Sequence, residues 1–248
     1  MNGLIIIDDK RYDYAKSYLK ARGHSFADCP AEHLDFIIFP FKEKTDDSIF
    51  NAKYFGNLSP KTLIFSGVRQ EYLEEQARAF GLNYHPILDD EAVRLKNAVP
   101  TSEGIISYII ANRNQTINGS RVLIIGYGVC GRDLGQRLGL LGAEVYAVDT
   151  SKKARAAAWA DSAKNISMAD IRELEFDIVV NTAQIILARE QIEKMGKALL
   201  INIASKPYGF DDKDSVFLPS IPGRYAIKTA GEILGEYIDS ILKGGERL

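Results

Sequence analysis

Apolar residues fall in short unbroken runs along most of the chain, with helical-period stretches between them. The runs Leu4 to Ile7, Phe36 to Phe39, Thr62 to Phe65, Val122 to Ile125, Val145 to Val148, Ile178 to Val180, Leu199 to Ile201 and Val216 to Leu218 predict strands. Strands buried on both faces, as in a parallel sheet covered by helices, read as continuous apolar runs rather than alternating ones. Their alternation with helical stretches predicts an α/β fold of two doubly wound domains.

The pattern divides the chain into four pieces. Residues 1–95 read as an N-terminal flavodoxin-like α/β domain, 96–118 as a linking helix, 119–223 as a second α/β domain and 224–248 as a C-terminal helix. The run Asn97 to Pro100 breaks the pattern, and Thr101 is then placed to cap a helix from Ser102 to Arg113, with Glu103 in its first turn. Ile105, Ile106, Ile109 and Ile110 form its apolar stripe, and Asn118-Gly119 closes the linker as a turn. From Ala226 to Leu242 the apolar positions make a stripe too wide for a lone surface helix. This segment is expected to pack against the linking helix near residue 105 and to cross back toward the first domain.

Composition narrows the classes. The chain has 248 residues, 46% hydrophobic and 26% charged, an ordinary globular balance. Thirty-three acids against 31 Lys plus Arg give a net charge of −2, without the basic excess of a nucleic-acid binder. No apolar run approaches the ~18 residues that span a bilayer. Cys29 and Cys130 are too far apart in sequence for a disulfide scaffold or a zinc set. A soluble cytoplasmic protein without a structural metal is expected.

The strongest local signal is the strand Arg121 to Ile125 running into Gly126-Tyr127-Gly128-Val129-Cys130-Gly131, with a helix pattern following through Leu134, Leu138 and Leu141. In G-x-G-x-x-G the first glycine permits a tight turn, the second lets backbone approach a pyrophosphate, and the third lets helix and strand pack closely. The pyrophosphate then sits on a helix N-terminus, where free N–H groups and the helix dipole favour an anion. A second strand ends in Asp149, 18 residues past Gly131, near the ~20 expected for the acid that binds the ribose hydroxyls. The second domain is therefore of Rossmann type. Thr150, and Thr182 and Ala204 after the next two strands, complete the expected cofactor set. Asp149 favours NAD, because its charge repels a 2′-phosphate. Thr150, Ser151, Lys152, Lys153 and Arg155 follow at once, and cations there can accept one. Cys130 sits where a helix N-terminus would stabilise a thiolate, so a redox role stands beside the plainer one of a small side chain filling a crowded turn.

Several stretches together resemble the family of the dipicolinate synthase A chain. They are Phe65-Ser-Gly67, Val99-Pro-Thr-Ser-Glu-Gly104, Ile117 to Gly126, Asn202-Ile-Ala-Ser-Lys-Pro207 and Ile221-Pro-Gly-Arg-Tyr-Ala-Ile-Lys-Thr-Ala-Gly231. The resemblance covers the chain from about residue 62 to its end. It implies a sporulation-linked oxidoreductase subunit that oxidises a dihydrodipicolinate-type ring to pyridine-2,6-dicarboxylate with a nicotinamide cofactor, described for the family as NADP. It further implies a flavoprotein-like second subunit. For localisation it implies the mother cell of a sporulating bacterium; a homo-oligomer is also expected. The chain departs from the pattern in being some tens of residues shorter and in carrying Asp149 where an NADP enzyme would have an Arg or a small residue.

The two-domain plan is also similar to D-2-hydroxyacid dehydrogenases. Those need an Arg after the fifth strand of the cofactor domain, where this chain has Ser205, and a late His as acid/base. The three His are His24, His33 and His85, all in the first domain, so alcohol oxidation would lack its proton acceptor. Each of the three is expected to be a surface or turn residue, with a place at the cleft as the alternative for His85, which follows a short strand and precedes Pro86. Aromatising a dihydropyridine needs a base less; the site must chiefly orient the ring and neutralise two carboxylates. Ser66, Gly67, Thr101, Lys206, Arg224 and Lys228 are the expected substrate residues, since ligands collect beyond strand C-terminal ends. Thr101's helix N-terminus would add free N–H groups. No catalytic acid or base stands out. The alternative is a non-catalytic dinucleotide-binding or redox-sensing partner subunit.

Overall fold

The computed structural model describes residues 1–31, 33–41, 44–193, 195 and 197–244, and of Arg172 and Glu173 the backbone alone. The end of the expected C-terminal segment, 245–248, lies outside the described residues. Contacts divide the chain into two units, Met1–Asn97 with Ala226–Leu248, and Ala98–Tyr225.

The first unit holds strands β1 (Asn2–Ile5), β2 (Ser25–Phe26), β3 (Phe36–Ile38), β4 (Leu63–Ser66) and β5 (Asn83–Pro86), with helices α1 (Arg11–Lys20), α2 (Ala52–Gly56) and α3 (Glu71–Phe80). The strands pair parallel in the order β2-β1-β3-β4-β5, which is the flavodoxin-like winding. Neighbouring residues of one strand serve opposite faces. Ile5, Phe36, Ile38 and Phe65 pack with Tyr12, Ala15 and Leu19 of α1, whereas Leu4, Ile37, Phe39 and Ile64 pack with Phe55 of α2 and Leu73 and Ala77 of α3. Both faces are covered, so the sequence shows runs and no alternation.

Helix α4 (Glu91–Asn112) leads into the second unit. There follow β6 (Arg121–Ile125), α5 (Val129–Leu140), β7 (Glu144–Val148), α6 (Lys152–Ala160), β8 (Lys164–Asn165), β9 (Ile178–Asn181), β10 (Ile186–Leu187), α7 (Arg189–Glu193), β11 (Leu199–Asn202), β12 (Gly209–Phe210), β13 (Val216–Phe217) and α8 (Pro222–Tyr225). Six strands pair parallel in the order β13-β11-β9-β6-β7-β8, and β10 pairs with β12 in a separate ribbon. Counted from β6 and read from its far edge, the large sheet has the 3-2-1-4-5-6 order of dinucleotide-binding domains.

Two expectations about helices change. Thr101 does not begin a helix. The Asp90 carboxylate accepts the Val93 N–H at 3.0 Å, so the helix starts at Glu91 and runs through Pro100 to Asn112. An interior proline removes a backbone donor and costs about 3 kcal/mol; burial of Ala98, Thr101, Ser102, Ile105 and Ile109 along the same helix offsets it. The free N–H groups expected at Thr101 are therefore absent, because its N–H lies in the third turn of a continuous helix.

The C-terminal helix, α9 (Ile227–Leu242), belongs to the first unit and packs along α1, not on the linking helix near residue 105. Its tie to α4 is the Lys96–Glu236 ion pair at 2.7 Å, inside the first unit. Gly231 and Gly235 make the close approach possible. A Cβ on Gly231 would run into the Arg11 carbonyl, and one on Gly235 would meet the Tyr18 ring at 2.9 Å.

Candidate functional site

The end of β6 and the start of α5 form a backbone cradle. Gly126 turns at φ +88°, where only glycine is unstrained. Its N–H donates to the Val148 carbonyl at 2.9 Å, and its own carbonyl accepts the Thr182 hydroxyl at 2.8 Å. A Cβ on Gly131 would strike the Gly126 carbonyl, so α5 reaches the strand only with glycine there. Gly128 is exposed, and a Cβ built on it meets nothing within 4 Å. The first bond of α5 is Arg132 N–H to the Gly128 carbonyl at 2.8 Å. The N–H groups of Val129, Cys130 and Gly131 precede that bond and are the orphan donors of a helix start. An anion set against Gly128 meets a positive helix end and no side chain.

Asp149 follows β7 and is half-buried. One carboxylate oxygen accepts the Tyr127 N–H at 2.7 Å and the other the Ser151 N–H at 2.7 Å. The acid is thus fixed beside the glycine loop. Arg155 donates to the carbonyls of Asp149 and Thr150 at 3.1 and 2.7 Å, which spends one of its nitrogens on the turn. Lys152 and Lys153 are exposed. Burial, with the Asp133 carboxylate adding to it, pushes the Cys130 thiol up, opposite to the thiolate expected from its helix position. Burial pushes the Tyr127 hydroxyl up to about 12; its ring lies against Gly135 of α5, where a Cβ would clash with it.

Two residues to which the sequence reading gave no role shape the neighbouring loops. Asn181 and Asn202 end β9 and β11, are buried, and are hydrogen-bonded amide to amide at 3.0 Å. Asn181 also accepts the Ala183 N–H at 3.2 Å, and Asn202 accepts the Ala204 N–H at 3.2 Å and donates to the Tyr208 carbonyl at 3.1 Å. The pair sets the backbone around Thr182 and Ala204. Its signal in the sequence is an amide closing each apolar run, in Ile178-Val-Val-Asn181 and Leu199-Leu-Ile-Asn202. The residues of this loop cluster fit a dinucleotide.

The expected substrate residues fall in both units. Ser66 and Gly67 end β4 in the first. The Ser66 hydroxyl is buried and committed, donating to the Val68 carbonyl at 2.6 Å and sharing a hydrogen bond with Tyr84 at 2.6 Å. Gly67 is backed by the Phe41 ring, which would clash with a Cβ. Lys228, on α9, is exposed and lies 3.9 Å from Glu232. In the second unit Thr101 is buried within α4, Arg224 is exposed on α8, and Lys206 is exposed, with its ammonium 5.8 Å from the Phe217 ring centre.

Of the histidines, His33 is exposed. His24 is not a surface residue; it is buried with its Nε2 2.9 Å from Asp239. His85 lies in β5, stacked on Phe65 with ring centres 5.3 Å apart, and lines a cavity of about 280 Å³ with Arg69, Pro86, Asp89, Asp90, Glu91 and Tyr237. Among the described residues no helix is long and apolar enough to cross a membrane.

Residues 102–206 match the family described as D-isomer specific 2-hydroxyacid dehydrogenase, NAD binding domain. Over 235 residues the chain is 26% identical to the A chain of dipicolinate synthase from Bacillus subtilis (strain 168), covering 86% of this chain and 79% of the relative. The chain resembles the dipicolinate synthase A chain. The crystal structure of that A chain from Bacillus subtilis superposes with a TM-score of 0.89 at 23% identity, over 98% of this chain and 96% of that one. The structure of its counterpart from Bacillus halodurans gives 0.84 at 19% identity, over 97% of each. The second unit is a Rossmann-like NAD-binding domain, and the likeness supports NAD(P) binding and a dinucleotide-dependent oxidoreductase-like role.

Proposed function

We propose that this chain is a nicotinamide-dependent dehydrogenase subunit that oxidises a dihydrodipicolinate-type cyclic dicarboxylate to the aromatic pyridine-2,6-dicarboxylate. The observation that carries the reading is the chain-long likeness to the dipicolinate synthase A chain, joined to the open glycine cradle at Gly126–Gly131. A nicotinamide, when bound, supplies the hydride acceptor. The chain's own part is to hold the dinucleotide on the N–H groups ahead of α5, to fix the adenosine end at Asp149, and to place the ring's carboxylates on cations. Loss of hydride leaves a ring that needs only to shed a proton to become aromatic, so a positioned water suffices where an alcohol dehydrogenase needs a strong base. The candidate substrate groups of this reading are the Gly67 backbone and Lys228 in the first unit and Lys206 and Arg224 in the second, each considered in its own unit. A flavoprotein-like second subunit, a homo-oligomer and a sporulating mother cell belong to it as well.

NAD is the cofactor this site favours. Asp149 is pinned by two backbone N–H groups, so a 2′-phosphate would meet a fixed carboxylate. Titration with NAD and NADP side by side tests this: a tenfold preference for NADP, about 1.4 kcal/mol, overturns it. Asp149→Ser is expected to narrow whatever preference the wild type shows for NAD. For the substrate, thermal-shift titration with pyridine-2,6-dicarboxylate in saturating dinucleotide is expected to raise the melting temperature, and no shift overturns the substrate assignment. A second reading, a dinucleotide-binding partner that leaves chemistry to another chain, is favoured by the absence of any histidine from residues 98–225.

A further inference from the structure

Arg11 opens α1 at the end of the turn after β1 and is 3% exposed. A guanidinium so enclosed is costly unless its charge and donors are matched. Asp9 matches one edge: its two oxygens accept from Nε at 2.8 Å and Nη2 at 2.6 Å, and it also accepts the Arg11 N–H at 3.0 Å. The guanidinium carbon lies 3.7 Å from the centre of the Phe41 ring. The other edge is unmatched among the described residues, where Nη1 donates to none.

The segments around Arg11 are held together. The Phe41 N–H donates to Asp8 at 2.7 Å, the Val68 N–H donates to the Phe41 carbonyl at 3.0 Å, and the Tyr12 hydroxyl donates to the Phe39 carbonyl at 3.0 Å. The segments after β1, β3 and β4 are thereby knitted together at the strand ends of the first unit. Phe41 joins Arg11 to Gly67, since its ring stacks on one and closes over the other. Strand C-terminal ends are where doubly wound sheets take their ligands. A guanidinium is planar by delocalisation; with Asp9 on one edge and the Phe41 face against it fixing its orientation, its Nη1–Nη2 edge has the parallel N–H geometry that suits a second carboxylate. The neighbouring N-terminus of α1 helps to offset the charge of Asp9.

We propose that Arg11 is a carboxylate-binding residue of this chain, its Nη1–Nη2 edge taking one carboxylate of a small planar acid, with Asp9 as the positioning residue that holds the fork. This rests on the reading of the chain as a binder of a cyclic dicarboxylate. Lysine lacks the fork, so Arg11→Lys keeps the charge and loses the two-point contact.

The test is calorimetric titration of wild type and Arg11→Lys with pyridine-2,6-dicarboxylate in saturating dinucleotide, with dinucleotide affinity measured separately. Binding of the dicarboxylate is expected to weaken tenfold or more in Arg11→Lys, with dinucleotide affinity within twofold of wild type. In parallel, the guanidinium ¹⁵N resonances of Arg11 in the wild-type protein are expected to move during the same titration, which decides the matter should the variant fail to fold. Equal dicarboxylate affinity in Arg11→Lys, or Arg11 resonances that stay still while the ligand binds, overturns the role of Arg11 and leaves the proposed function standing. A wild type that binds no dicarboxylate overturns both.

Discussion

The two units meet the same topological problem with opposite chemistry. In each, the first strand of a parallel sheet ends and the first helix begins, at β1–α1 and at β6–α5. In the second unit the turn is Gly126-Tyr127-Gly128, and what marks it is what the glycines leave out: a Cβ on Gly128 would meet nothing within 4 Å. In the first unit the turn Asp8-Asp9-Lys10-Arg11 has no glycine. Asp9 closes it by accepting the Arg11 N–H and then claims the Arg11 side chain. A backbone cradle suits a phosphate of any attachment, because every donor is main chain. A side-chain clasp is selective for ligand shape and easier to break by substitution.

Substitutions at the two turns sharpen that contrast. Asp9→Asn leaves the Arg11 charge enclosed without its counterion, which costs about 3 kcal/mol when a buried pair is broken; denaturant unfolding should show a loss of that order. Gly131→Ala places a methyl group against the Gly126 carbonyl and should cost about 1–3 kcal/mol as overpacking, with dinucleotide binding reduced as α5 is pushed outward. Gly128→Val, at a position with open space, should leave the melting temperature near wild type and weaken the dinucleotide tenfold or more, about 1.4 kcal/mol. Unchanged affinity in folded Gly128→Val would mean that the glycine turn is not the dinucleotide site.

A smaller effect separates the units by pH. Burial pushes the Asp239 carboxyl up, but its bonds to Lys243 and His24 more than offset this and hold it below the usual carboxylate range. A carboxyl lowered on folding contributes stability above its unfolded pKa, about 3.9, and loses it as pH falls through the folded value. Asp239→Asn should therefore destabilise the first unit at neutral pH and cease to matter in strong acid, as thermal melts across pH would show. The smallest effect is expected at the Arg121–Glu144 pair, 3.1 Å apart with both side chains well exposed, where Arg121→Ala should cost about 0.5 kcal/mol.

Much of this was legible in the chain. The parallel winding follows from unbroken apolar runs, and the roles of Gly126, Gly128 and Gly131 follow from backbone sterics that three letters and a spacing specify. What escaped the sequence depended on partners distant along the chain. Pro100 reads as a break, yet α4 crosses it because its buried side chains and the Asp90 cap outweigh one lost hydrogen bond. The two-residue strands β2, β8 and β12 fall in no apolar run, whereas β13, equally short, lies in Val216 to Leu218. Arg11 carries no signal of its own in the sequence, and only Phe41, thirty residues on, and the fork of Asp9 reveal it as enclosed. His24 is likewise bound to Asp239, 215 positions away.

The return of α9 to the first unit has a consequence for synthesis. A ribosome releases residues 1–97 first, but the layer that covers Tyr12, Ala15 and Leu19 is completed by Ile233, Leu234, Tyr237, Ile238 and Leu242. The contiguous unit 98–225 is made whole in between. During translation, domains generally fold as their chain emerges, so the later-made Rossmann unit is the first to be complete, while the nascent N-terminal unit waits with one apolar face bare. Chaperone capture, or aggregation of a chain stalled before residue 226, is therefore expected to occur through the face of α1, and a separately supplied peptide with the sequence of α9 should suppress it.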